Sequence, residues 1–301
     1  MDTIDRFRGC LIVLAVGDAV GTTVEFQRRG SFQPLTDMAG GGPLGLQPGQ
    51  WTDDTSMALC LAASLVEART FDPRDQMERY CRWYEQGYMS STGKCFDIGN
   101  TTRTALMRYR HSGDPFSGSN DTFSAGNGSI MRLAPVALFY FPELAQMRQY
   151  AAESSRTTHG AQECLEACRL LAEILYRALM GMDKREIVSN ASLDGILTQA
   201  LRDIAQGSYI NKRESEIKGS GYVVKSLEAA LWCFWKTGSF REAILTAANL
   251  GDDADTTAAI CGQVAGVYYG ESGIPTSWME RLAKREDIRK FAEDLYNHRR
   301  I

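Results

Sequence analysis

Apolar residues recur at helical spacing from the start of the chain: Ile4, Phe7, Leu11 and Leu14 share one face, before Gly17 and Gly21 interrupt the pattern. A first helix ending near Gly17 is predicted. Residues 28–50 are rich in Gly and Pro, with Gly40, Gly41 and Gly42 in succession, and read as a long loop. Trp51 then opens a second helix, whose body is residues 57–67. Asp72 before Pro73 pairs an N-cap with proline at the first helical position, starting a third helix through about Glu85. The same periodicity predicts helices over 101–109, 130–139, 143–154, 161–179, 184–204, 223–235, 240–249, 256–269 and 285–298. Alternating strand patterns are almost absent.

The pattern implies an all-α fold, a compact helical bundle. No repeat of fixed period and no linker-like composition interrupts it, and the polar stretch 207–221 is short enough for a surface loop. One domain over residues 1–301 is expected. Without strands there is no platform for a Rossmann or P-loop phosphate site. The glycines agree: Gly93-Lys94 lacks the Ser/Thr of a Walker sequence, and Gly126-Asn127-Gly128 lacks the third glycine of a dinucleotide fingerprint.

Composition adds limits. With 301 residues, 44% hydrophobic and 23% charged, the chain can bury a large core. A formal charge of -4 without blocks of like charge indicates neither a nucleic-acid surface nor an acidic tail. The eight cysteines are scattered through apolar helical patterns; Cys164 and Cys168 lie one turn apart, but no second Cys/His pair completes a zinc site. Buried thiols, no zinc and a reducing cytoplasm are expected. The N-terminus lacks the features of a signal peptide, and no run of about 18 apolar residues would span a membrane.

Chemistry concentrates in two acidic clusters. Thr52-Asp53-Asp54-Thr55 stands where a glycine-rich loop enters a helix, and Asp252-Asp253-Ala254-Asp255-Thr256-Thr257 repeats that setting near the other end of the chain. Asp and Thr are good N-caps, but one cap needs one residue. Carboxylates gathered together repel unless a cation neutralises them, and an oxygen-only donor set without Cys or His suits Mg2+, with Mn2+ or Ca2+ as substitutes. Six such donors exceed what one Mg2+ takes while keeping waters, so a bridged pair of ions is inferred.

Three further features are less specific. Gly17-Asp18-Ala19-Val20-Gly21, followed by Glu25, places acids among small residues; alone, Glu25 reads as a solvated helix-end charge. Gly126-Asn127-Gly128-Ser129-Ile130-Met131-Arg132 is a glycine turn running into an apolar helix, whose free N–H groups suit a diphosphate. Thr157-Thr158-His159-Gly160 puts one of three histidines ahead of a long helix, where a cap or a core hydrogen-bonder is an equal reading.

Taken in order, these motifs resemble the ADP-ribosylglycohydrolase family over about residues 5–272. Phe96-Asp97-Ile98-Gly99-Asn100-Thr101-Thr102 adds a loop similar to the bacterial dinitrogenase reductase-activating branch. The resemblance implies a cleft over two Mg2+ ions, with Thr52, Asp53, Asp54, Asp253, Asp255 and Thr256 as ligands. It also implies Glu25 near the scissile bond and Asp97 beside the ribose. Gly99, Asn100 and Thr101 with Gly126, Asn127, Gly128 and Ser129 would hold diphosphate and ribose, with His159 near the phosphates. Tyr222 is placed like an adenine-stacking aromatic, and reads equally as a helix-start packing residue. One departure is Gly251-Asp252, where many members carry two glycines.

The activity implied is hydrolysis of the bond from ribose C1″ to a modified side chain of an ADP-ribosylated protein, arginine first, releasing ADP-ribose. Glu25 or Asp97 would handle the proton. A Mg2+-dependent phosphoesterase acting on free nucleotide and an inactive ADP-ribose binder are the alternatives.

Overall fold

The computed structural model describes residues 2–298. In chain order its helices are α1 (Thr3–Gly21), α2 (Asp53–Ala68), α3 (Pro73–Gln86), α4 (Asn100–Ser112), α5 (Ala134–Tyr140), α6 (Leu144–Arg156) and α7 (Gln162–Leu179). The second half holds α8 (Lys184–Val188), α9 (Gln199–Ala205), α10 (Val223–Lys236), α11 (Phe240–Ala248), α12 (Ala254–Tyr269), α13 (Thr276–Arg281) and α14 (Arg285–His298). Among the described residues there is no strand, only isolated bridges that pin loops together.

The architecture is organised around α1 and α12, which cross antiparallel at backbone contact. A Cβ on Gly9 would stand 2.2 Å from the Gly266 carbonyl oxygen, and one on Gly17 would stand 2.2 Å from that of Ala258. Small residues at these positions let the two backbones meet. The register has a consequence: the C-terminal end of α1 lies against the N-terminal end of α12. Gly21 faces Asp255 there, its missing Cβ only 2.4 Å from the Asp255 Cα. Both helices, together with α2, are buried almost all round and form the centre of the core. Outer helices are one-sided; α14 turns Ile288, Ala292 and Leu295 inward.

Several boundaries differ from the periodicity reading. Helix α1 continues through Gly17 to Gly21, because Gly17 is a helix-contact glycine rather than a terminator. Residues 130–133 are turn, and α5 begins only at Ala134, with Pro135 in its first turn disfavouring helix before it. The expected helix over 184–204 is two short ones, separated by Asn190 at φ 56° and Gly195 at φ 67°. Helix α13 was not anticipated. The Asp72 cap was: its Oδ1 accepts from the backbone N–H groups of Arg74 and Asp75 at 2.9 and 3.1 Å.

All eight cysteines are free, seven of them buried. Cys164 and Cys168 pack under the 126–129 loop, their thiols donating to Gly126 O and Ser129 Oγ at 3.3 and 3.5 Å. No helix among the described residues is long and apolar enough to cross a membrane.

Candidate active site

Three chain segments meet where α1 ends and where α2 and α12 begin. Asp18, in the last turn of α1, accepts four hydrogen bonds. Its Oδ1 takes the N–H and hydroxyl of Thr52 at 2.8 and 2.9 Å, and its Oδ2 takes those of Thr55 at 3.0 and 2.7 Å. Both oxygens are thereby filled. Burial pushes Asp18 up to about 6, against the lowering influence of those four bonds. Sequence reasoning had seen Asp18 only as an acid among small residues, not as the hub that sets the start of α2.

Beside it, one hydroxyl faces too many acceptors. Thr52 Oγ1 lies 2.9 Å from Asp18 Oδ1, 3.2 Å from Asp255 Oδ2 and 3.3 Å from Asp54 Oδ2, yet it has a single proton to give. Asp54 Oδ1 is buried with no hydrogen-bond partner. Asp53, Asp54 and Asp255 are raised well above ordinary carboxylates, first by burial and then by one another's charge and that of neighbouring acids. Asp253 is raised as well, mainly by burial. Orphaned oxygens in a buried, oxygen-only cluster are the chemistry of a hard-cation site. Carboxylate oxygens of Asp18, Asp54 and Asp255 lie within 4.8 Å of one another, as do those of Glu25, Asp97 and Asp255. The residues fit a divalent metal, and Asp255 is common to both groups. Since Asp18 already has four donors, Asp54 Oδ1 is the first group's open oxygen, while Asp255 Oδ1 accepts the Thr256 N–H at 2.8 Å.

Glu25 and Asp97 occupy the second group. Burial, then repulsion from Asp97, Asp253, Asp53 and Asp18, pushes Glu25 up to about 10. Asp97 rises to about 7, by burial and then by Asp18 and Asp253, while a hydrogen bond from Glu25 holds it down. Burial and mutual repulsion thus favour a retained proton on this pair. Glu25 Oε2 is buried with no hydrogen-bond partner.

The loop carrying Glu25 is clipped to the loop before α12. Phe26 N–H donates to Asp252 O at 2.7 Å, Asp252 N–H returns one to Gln27 O at 2.7 Å, and Arg28 bridges Gly251. Asp252 sits at φ 56°, left-handed backbone that glycine adopts freely and Asp tolerates. That accounts physically for the two-glycine pattern which Asp252 departs from.

The opposite wall is uncharged. Gly99 caps α4, and the free N–H groups of the first turn, around Asn100 and Thr101, open toward the cavity. The Asn100 side chain itself is exposed and accepts from Arg103 at 2.6 Å. The 126–129 turn is not a helix start, since α5 begins further on; still, the N–H groups of Gly128 and Ser129 have no partner among the described residues. Asn127 reaches across, its Nδ2 donating to Asp253 Oδ2 at 2.7 Å and to Ser226 Oγ at 3.1 Å.

His159 is buried behind that turn, and a Cβ on Gly128 would stand 2.7 Å from its ring. Its Nδ1 is 2.8 Å from Thr158 Oγ1, which accepts from Arg132 Nη2 at 2.8 Å. Arginine can only donate, so the Thr158 hydroxyl turns its own proton to Nδ1, and Nε2 carries the ring's N–H. Burial, helped by Arg132, pushes His159 down to about 3, keeping the ring neutral. Arg132 itself is 1% exposed; it donates to Gly128 O at 2.5 Å and lies 4.8 Å over the Tyr80 ring. Nothing in the sequence singled it out beyond its place in the motif.

These walls enclose a cavity of about 950 Å³. Of the residues named from the sequence, Glu25, Asp97, Asp53, Asp253, Asp255, Thr256, Gly99, Asn100, Thr101, Gly126, Asn127, Gly128 and His159 line it. Thr52 and Asp54 lie beneath its acidic floor, and Ser129 lies at the back of the turn, against Cys168. Tyr222 is outside the lining: it is half-exposed, and its hydroxyl donates to Glu163 at 2.7 Å. Phe26, Ile98, Thr102, Met131, Ser220 and Gly221 complete the walls without having been anticipated as site residues, and Asp252 of the second acidic cluster joins them.

The family model for the ADP-ribosylglycohydrolases matches residues 1–300. The chain belongs to the ADP-ribosylglycohydrolase family. It is 46% identical over 298 residues to ADP-ribosylarginine hydrolase Tri1 of Pseudomonas putida (strain GB-1), spanning 98% of this chain and 78% of that protein. It is 34% identical over 300 residues to the ADP-ribosyl-(dinitrogen reductase) glycohydrolase of Rhodospirillum rubrum, spanning 97% and 95%. A solved structure described as an ADP-ribosylglycohydrolase-related protein complex superposes with a TM-score of 0.88 at 43% identity, covering 98% of both chains. The protein is an ADP-ribosylglycohydrolase with the all-helical fold of that family.

Proposed function

We propose that this ADP-ribosylglycohydrolase removes ADP-ribose from an arginine side chain of a mono-ADP-ribosylated protein, using two divalent cations, Mg2+ or its substitute Mn2+. The observation that carries the reading is the Thr52 hydroxyl, which faces three carboxylate oxygens with one proton, beside an orphaned Asp54 oxygen. The name of its Tri1 relative, an ADP-ribosylarginine hydrolase, supports arginine as the acceptor.

Thr52, Asp53, Asp54, Asp253, Asp255 and Thr256 would hold the pair, and the sharing of Asp255 between two carboxylate groups supports two ions rather than one. Bound there, the cations supply positive charge and Lewis acidity beside the ribose hydroxyls. Glu25, whose carboxyl is pushed upward by burial and by Asp97, gives a proton to the nitrogen leaving C1″. Asp97 receives the proton that water loses as it adds to C1″, through an oxocarbenium-like transition state. The first turn of α4, the free N–H groups of Gly128 and Ser129 and the Nε2–H of His159 hold the diphosphate with neutral donors. Tyr222, exposed next to the lining residue Gly221, offers a face to adenine. Eight unpaired thiols suit a cytoplasmic setting.

Metal removal tests the reading. EDTA should stop hydrolysis of an ADP-ribosylarginine substrate and Mg2+ should restore it; turnover indifferent to chelation contradicts it.

A further inference from the structure

The cavity presents an electrostatic puzzle. Six carboxylates line it, those of Glu25, Asp53, Asp97, Asp252, Asp253 and Asp255, and no lysine or arginine does. Five belong to the acidic floor already described. Asp252 is different: it is exposed, stands at the rim, and does not join the carboxylate groups that suit a cation.

A second rim residue is equally out of place. Phe26 is 67% exposed, lines the cavity next to Glu25 and has φ 61°. A bulky side chain in left-handed backbone is strained, and glycine would relieve the strain at either position. The two are held together by the Phe26 N–H to Asp252 O bond of 2.7 Å and its return bond through Gln27. An aromatic ring and a carboxylate are thus mounted on one clip, at the rim beside the residue proposed to protonate the leaving group. An anionic diphosphate has no use for such a pair, and the neutral wall on the far side already offers it donors.

On the reading under Proposed function, we infer that Phe26 and Asp252 recognise the cationic acceptor side chain, the ring stacking on the guanidinium and the carboxylate pairing with it. Planar, weakly hydrated guanidinium suits both partners. The pair therefore determines specificity for a charged acceptor over a neutral one such as serine.

The test compares wild-type protein with Phe26→Gly, Asp252→Asn and Asp252→Glu, none of which forces new strain at position 26 or removes hydrogen-bonding capacity at 252. Folding is checked by circular dichroism. With an ADP-ribosylarginine peptide and Mg2+, Phe26→Gly and Asp252→Asn should each raise KM by about 3- to 10-fold. Asp252→Glu should restore most of it. Calorimetric affinity for free ADP-ribose, which lacks the acceptor, should stay within about 2-fold in all three, an interval below the expected interaction. An unchanged KM, or an equal loss of ADP-ribose affinity, overturns the inference while leaving the arginine reading intact. If the wild type cleaves only neutral linkages, both fall.

Discussion

Asp18 Oδ1 accepts both the backbone N–H and the hydroxyl of Thr52, at 2.8 and 2.9 Å. One carboxylate at the end of α1 thereby fixes the residue that starts α2, and with it the positions of Asp53 and Asp54. Replacing Asp18 with Ala strands the buried N–H groups of Thr52 and Thr55. The expected loss is about 2–6 kcal/mol of stability, at about 1–3 kcal/mol per unsatisfied group. Thermal denaturation measures it. A second consequence separates Asp18 from an ordinary core residue: Mg2+ affinity should fall along with stability.

Asp54→Ala and Asp255→Ala each remove a carboxylate from the proposed cation site. Turnover should drop at least 100-fold in either, as expected when charge stabilisation of the transition state is lost, while the helical circular dichroism signal survives. Wild-type turnover in either variant removes the metal assignment.

A pH dependence follows from the same crowding. Glu25, Asp97 and Asp18 are pushed up to about 10, about 7 and about 6, from ordinary values of 4.5, 3.8 and 3.8. The folded, metal-free protein therefore binds these protons more tightly than the unfolded chain. Their contribution is fully present below pH of about 4 and is lost as pH rises through the folded values. Cations replace the protons, so the Mg2+-induced rise in melting temperature should be larger at pH 8 than at pH 5. His159, held down to about 3 from 6.5, works the other way, losing its contribution as pH falls between those values. It contacts no acid of the cation site, so it cancels in the comparison with and without Mg2+. A rise that is equal at both pH values contradicts the account.

Arg132 is a buried guanidinium that holds Gly128 O and, through Thr158, the tautomer of His159. Arg132→Met should weaken ADP-ribose binding about 10-fold or more, the scale of one charged hydrogen bond, and leave adenosine binding unchanged. Calorimetry with the two ligands distinguishes a damaged diphosphate cradle from a generally loosened fold.

The acidic clusters were legible in the sequence because Thr52-Asp53-Asp54 and Asp253-Ala254-Asp255-Thr256 contain more oxygen ligands than helix caps require. Most helices were legible through their apolar period. Gly17 was misread, because a glycine that terminates a helix and one that lets α12 approach look alike until the partner is known. The break after Val188 left a signal in Asn190 and in Asp194-Gly195, which the apolar period overrode. Glu25 beside Asp97, and Phe26 beside Asp252, are tertiary pairings with no local pattern. Resemblance pointed to the first pair, and only the folded chain revealed the second. Asp18 was visible only as an acid among small residues, since four donors converging on one carboxylate is a property of three dimensions.

The most direct measurement is a product analysis by mass spectrometry of a peptide carrying ADP-ribosylarginine, incubated with this protein and Mg2+. Intact ADP-ribose and unmodified arginine are expected in equal amounts. Release of AMP instead would mark a phosphoesterase and no product at all a binding protein, and either result contradicts the account.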